Sequence, residues 1–208
     1  EAISVNTSVS ITNVSPSIDE VHINTVSATS SSDAYEVIPT PGGTKTLFIN
    51  GIATDPNGAN DMNVVSASFS RTASGACALS GVNDDKNSCY KNTACTVTPI
   101  INTDKTSFSC PIELAYFADA TALSSDNWTA FVRVSDTDGL FATATSTTDV
   151  VEILAADMGS SIDFGSLSAG ESTNTDTNVA FLIKQTGNSI TDLQVAGTNM
   201  TCTSGTIP

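Results

Sequence analysis

Apolar and polar residues alternate along most of the chain in short runs separated by turn residues. The first segment, EAISVNTSVSITNV, sets Ile3, Val5, Val9 and Ile11 on one face of an extended backbone and Ser4, Asn6, Ser8, Ser10 and Thr12 on the other. That period of two marks a half-buried strand. Pro16 closes it, since proline cannot donate to a continuing ladder. Further strands are predicted at SIDEVHINTVSA, YEVIPT, TKTLFINGIATD, NVVSASFSR, CTVTPI, SCPIELAYFA, NWTAFVRVSD and ATSTTDVVEIL. Between them stand Pro41-Gly42-Gly43, Asp55-Pro56-Asn57-Gly58, Ser74-Gly75, Asn102 to Lys105 and Asp136 to Gly139, residues that favour tight turns.

About seven turn-bounded strands of this length are what an immunoglobulin-like β-sandwich requires, so the fold class expected is all-β. Within NWTAFVRVSD, Trp128, Ala130, Val132 and Val134 share one face and Thr129, Phe131 and Arg133 the other. Trp128 therefore reads as a core residue and not as an exposed platform for a sugar ring. The run IELAYFADATALSSDNWTAFVRVSDTDGLFATAT, with LFINGIATDPNG before it, resembles the Ig-like and PKD-like domains of bacterial and archaeal cell-surface proteins. The likeness covers roughly residues 17–155 and implies an architecture without implying an activity.

At ILAADMGSSIDFGSLSAGEST the composition turns Gly- and Ser-rich, which places a boundary near residue 157. The expected organisation is an amphipathic strand over 1–15, a sandwich over 16–156 and a second β-module over 157–208. The last resembles the opening strands of another sandwich, with a turn at Gly187-Asn188. A four-stranded piece of some fifty residues buries too little apolar surface to stand alone. It is expected to be incomplete and to need strands from elsewhere.

Charge and cysteines narrow the setting. Seven basic and 22 acidic residues leave a net charge of −15, which repels nucleic acid and anionic lipid surfaces. Ser, Thr and Asn make up over a third of the chain, a composition suited to strands and turns exposed to water. No run approaches the roughly 20 apolar residues that a spanning helix needs. The start at Glu1, without methionine or an apolar leader, is expected of a protein secreted after signal-peptide removal. Of five cysteines, Cys77, Cys89, Cys95 and Cys110 fall close together, as in a disulfide-stapled exported domain. Zinc is the rival reading, but CxxC spacing is absent and the only histidine, His22, is remote in sequence. Three pairings are open. Cys77 with Cys89 and Cys95 with Cys110 is favoured, because the second would tie CTVTPI to SFSCPIEL. Cys202 is left over.

Candidate chemistry is sparse. His22 lies in a strand pattern without a nucleophile motif such as G-x-S-x-G, and acid pairs such as Asp84-Asp85, Asp19-Glu20 or Glu113 with Asp119 arise by chance among 22 acids. An enzyme is not expected, and no catalytic, cofactor or metal residue is assigned. Calcium is the one ion considered, as a stiffener of the fold: Asp55, Asn57, Asn60 and Asp61 share one turn and Asp136 and Asp138 another, and calcium prefers such oxygen ligands. Sequons at Asn6, Asn13, Asn127 and Asn199 are candidate glycosylation sites.

Together these features predict a structural subunit of an extracellular filament or surface layer. Its partners would be copies of itself, joined head to tail when residues 1–14 of one subunit, through Ile3, Val5, Val9 and Ile11, complete the unfinished module of the next. The alternative is an adhesin or carbohydrate-binding Ig-like module of a larger surface protein, with surface glycans as ligands.

Overall fold

The computed structural model describes residues 12–25, 36–74, 77, 85–100, 103–121, 126–163, 180–196, 201–202 and 205–206. The described residues form strands and connections, with no α-helix among them and one 3₁₀ turn, Thr72–Ser74. Nine strands build two facing sheets: β1 (Ser17–Asn24), β2 (Glu36–Val37), β3 (Thr44–Thr54), β4 (Met62–Arg71), β5 (Cys89–Asn92), β6 (Thr96–Pro99), β7 (Lys105–Ala115), β8 (Trp128–Asp136) and β9 (Phe141–Val150). One sheet runs β1-β3-β7-β6 and the other β2-β9-β8-β4-β5. Their pairings are antiparallel except that of β2 with β9, which is parallel.

The core follows directly from the alternation. On β7, Thr106, Phe108, Cys110, Ile112 and Leu114 are buried, and the residues between them are not. On β8, Trp128, Ala130, Val132 and Val134 are fully buried, the face expected from the sequence. Side chains from both sheets meet in one cluster that includes Ile23, Leu47, Ile49, Phe69, Leu114 and Trp128, and each large apolar side chain so buried contributes about 1.5–3 kcal/mol. Trp128 stacks on Phe69 at 4.9 Å between ring centroids and lies 5.9 Å from Tyr90. Its indole N–H donates to the Asp119 carbonyl at 2.9 Å, so its polar atom is satisfied inside the core. Burial pushes the Tyr90 hydroxyl up to about 12, which keeps it neutral while it donates to the Lys86 carbonyl and accepts from the Ala115 N–H.

Strand β4 departs from simple alternation, since Ser66, Ser68 and Ser70 are buried as well as Val65, Ala67 and Phe69. Ser66 and Ser68 have short side chains and sit in register with longer ones, Arg133 and Phe131 on β8 and Lys91 on β5, while Ser70 pairs with Thr129 and Cys89. Disulfides join Cys77 to Cys89 and Cys95 to Cys110, with Cα–Cα distances of 5.8 and 4.5 Å. The second ties the entrance of β6 to the buried face of β7. The first anchors β5, the outer strand that pairs with β4.

Beyond the sandwich, β10 (Ala156–Met158) pairs with β11 (Ile183–Gln185), and β12 (Thr201–Cys202) with β13 (Gly205–Thr206). The turn after β11 docks on the sandwich. Asn188 donates to the carbonyls of Ala118 and Val151, both at 3.0 Å, and accepts from the Ile153 N–H at 2.7 Å, while the Gly42 N–H donates to the Thr186 carbonyl. The rest of this segment is open to water: Leu154, Leu182, Ile190 and Val195 are 67%, 81%, 88% and 92% exposed.

Candidate metal centre

Asp55 follows the last residue of β3, and its backbone N–H donates to the Asp104 carbonyl. The turn that follows passes through Gly58, whose φ of +124° only glycine adopts freely, and delivers Asp61 to the start of β4. Met62 pairs with Asp136 at the end of β8, and the Thr137 N–H donates to the Asp61 carbonyl. A bulge between Met62 and Val64 bends β4 at this point. Gly139, at φ +89°, then turns the chain from β8 into β9. The two turns that the sequence marks as rich in Asp and Asn thus lie at one end of the sandwich, the first crossing between the sheets from β3 to β4 and the second joining β8 to β9 within one sheet.

The result is a group of three acids in which one carboxylate oxygen each of Asp55, Asp61 and Asp136 lies within 4.8 Å of the others. Asp55 is fully buried and Asp136 is 3% exposed. The oxygens have distinct partners. Asp55 Oδ1 accepts from the Asn57 N–H at 2.8 Å, Asp61 Oδ1 accepts from the Thr137 hydroxyl, and Asp136 accepts from the Leu140 N–H and the Asn13 amide at 2.8 and 2.9 Å. Asp55 Oδ2 is buried with no hydrogen-bond partner among the described residues. No lysine or arginine forms an ion pair with any of the three among those residues. Burial raises the Asp55 carboxyl above its ordinary value; the Asn57 N–H opposes this, and the charges of Asp61 and Asp136 add to it. At an effective dielectric of about 20, each like-charge contact at such distances costs about 3 kcal/mol before screening by salt.

The same end of the sandwich holds the N-terminal segment. The Val14 N–H donates to Asn57 Oδ1 at 2.8 Å, and the Asn57 amide reaches the Thr12 carbonyl at 3.5 Å. Asn13 is half-buried with its amide nitrogen on Asp136, so the atom that would carry a glycan faces the acid group. Asn60 and Asp138, in the same turns, are exposed, and Asp138 is not in the group.

The remaining sequence candidates are scattered. Ile3, Val5, Asn6, Val9 and Ile11 lie outside the described residues, as does Asn199. Asn127 is half-buried beside Trp128 and accepts from the Thr72 hydroxyl at 3.0 Å. His22 lies 3.5 Å from Glu20 on β1. Asp19 is held by Lys105 and Thr54, and Asp119 by Arg71, so these acids of the chance pairs serve as structural partners. The sequence placed Asp136 in its own turn; only its distance in the chain from Asp55 hid their meeting. No protein-family model, curated protein or solved structure matches the chain.

Proposed function

We propose that the chain is a structural, non-catalytic subunit of an extracellular filament or surface layer, built on an immunoglobulin-like sandwich and joined head to tail to copies of itself. The sheet orders β1-β3-β7-β6 and β2-β9-β8-β4-β5, with β2 parallel to β9, support the immunoglobulin-like reading. The two disulfides fit an oxidising compartment, and no helix among the described residues is long and apolar enough to cross a membrane.

One observation carries the assembly. Thr12–Val14 is bonded at the end of the sandwich where β3 finishes, and Thr186–Asn188 at the end where β3 begins. The two segments therefore occupy opposite poles, separated by the eleven residues of β3, about 36 Å of strand. In the segment anchored at the second pole, Leu182, Ile190 and Val195 stand almost fully in water, and residues 1–11 carry the alternating apolar set Ile3, Val5, Val9 and Ile11. A strand from one copy laid along the apolar segment of the next would bury both and repeat without closure.

The test is negative-stain electron microscopy with light scattering on the full chain. Wild type is expected to form filaments or a ladder of multimers. A chain lacking residues 1–11 and the double variant Ile190→Ser, Val195→Ser should each remain monomeric. Wild type staying monomeric at high concentration, or both variants assembling as it does, would remove the proposal.

A further inference from the structure

We propose that Asp55, Asp61 and Asp136 bind a single calcium ion that closes one end of the sandwich and fixes the departing N-terminal segment. The inference is independent of the filament reading, and it rests on two observations. The first is convergence: oxygens bound to one calcium at about 2.3–2.6 Å are at most about 4.6–5.2 Å apart, and the three carboxylate oxygens fall within 4.8 Å of one another.

The second is an orphaned oxygen on one of the three acids. Asp55 is fully buried, and its Oδ2 has no donor among the described residues. Buried polar atoms are ordinarily satisfied, and an unpaired one on an acid calls for a ligand, water or ion. Both oxygens of a carboxylate hang from one carbon, so Oδ2 borders the cluster. The carboxylates accept from the N–H groups of Asn57 and Leu140, the hydroxyl of Thr137 and the amide of Asn13, which hold the acids in place while their mutual repulsion acts to separate them. Like charge gathered this closely, with no lysine or arginine paired to it among the described residues, is relieved by a proton or by a cation, and a cation can serve all three acids at once.

The chemistry selects the ion. All candidate ligands are hard oxygens, with no histidine or cysteine in the group, which disfavours zinc and other nitrogen- or sulfur-seeking metals. The ligands come from two turns, one crossing from the first sheet to the second and one within the second, an irregular arrangement that suits calcium's adaptable shell better than the strict octahedron of magnesium. Asn13 adds a link to the N-terminal segment. Its side chain lies 2.9 Å from Asp136, and rotating the amide by half a turn would present its oxygen to the ion in place of its N–H. Binding would thereby set the direction in which the chain enters from residues 1–11.

The experiment uses the full chain stripped of divalent ions, followed by calorimetric titration and thermal melting in calcium chloride, magnesium chloride, or sodium chloride of equal ionic strength. Calcium is expected to bind at one ion per chain with a dissociation constant of about 10⁻⁴ M, near the tight end of extracellular calcium modules. At 10 mM it should raise the melting temperature by about 5–10 °C. Magnesium should give a clearly smaller rise, and sodium none beyond general screening. Asp55→Asn and Asp136→Asn should each abolish the calcium-dependent rise. In chelator, Asp55→Asn should melt at or above wild type, because it relieves the repulsion and keeps its oxygen for the Asn57 N–H. If either variant fails to fold, Asp61→Asn, at the most open of the three positions, reports instead. The absence of saturable heat, an equal response to magnesium, or a calcium response that survives these variants would overturn the assignment.

Discussion

Strand β8 and the segment from residue 180 to 196 carry comparable apolar content, yet they end in opposite environments. On β8, Trp128, Ala130, Val132 and Val134 are fully buried because a second sheet lies across their face. In the later segment, Leu182, Ile190 and Val195 are more than four-fifths exposed, because among the described residues β11 has only the three-residue β10 beside it. The contrast teaches that alternation specifies a face, while burial depends on whether another layer covers it. The two sheets of the sandwich cover each other's apolar faces, whereas the hydrogen bonds that hold the later segment to them among the described residues gather at Thr186 to Asn188.

The sharpest way to break this contrast is to remove its centre. Trp128→Ala should destabilise the sandwich by about 3–5 kcal/mol, read as a loss of denaturant midpoint, since it empties the largest core site and leaves the Asp119 carbonyl without its donor. Next comes the staple: replacing Cys95 and Cys110 together by Ala should cost about 2–4 kcal/mol, measured by the same unfolding curve. Asn188→Ala tests the docking of the later segment. Losing its three hydrogen bonds should cost about 2 kcal/mol and speed hydrogen exchange of the β11 amides by tenfold or more, with a smaller change in the β8 amides.

A smaller effect is expected at Arg71, which reaches Asp119 at 2.9 Å and also holds Asp126. Burial pushes Asp126 up, but Arg71 and the N–H groups of Ala73 and Asn127 outweigh it and hold the carboxyl below its ordinary value. A lowered folded value means that its contribution is complete above the unfolded value of 3.8 and is lost as pH falls through the lowered one. Asp126→Asn should cost about 1 kcal/mol at pH 7, discounted because Arg71 is a third exposed. Melting curves of variant and wild type should draw together in strong acid. The smallest effect belongs to the exposed side chains: Ile190→Ser with Val195→Ser should change monomer stability by less than about 0.5 kcal/mol, however much it affects assembly.

Much of this was written locally. The strands from β1 to β9 other than β5 follow from alternation and turn residues, and the inward face of β8 was legible residue by residue. The favoured cysteine pairs are those formed, because the cysteines flank neighbouring strands. Strand β5, Cys89–Asn92, was not legible. Four residues including a lysine show no period, and they become a strand through their pairing with β4 and the bond to Cys77. Residues 1–11, on which the donor-strand expectation rests, contribute only their sequence pattern to the argument.

The sequence by itself determined the all-β character, the turns, the disulfide stretch and the acidic surface, since each arises from a residue's own backbone preference or charge. Only the tertiary structure decided which faces found cover and which acids met. Asp55 and Asp61 share a turn and could be read together, but Asp136 joins them because β4 and β8 pair in one register and the two sheets end at one pole. That meeting is a property of long-range pairing, to which local pattern is blind.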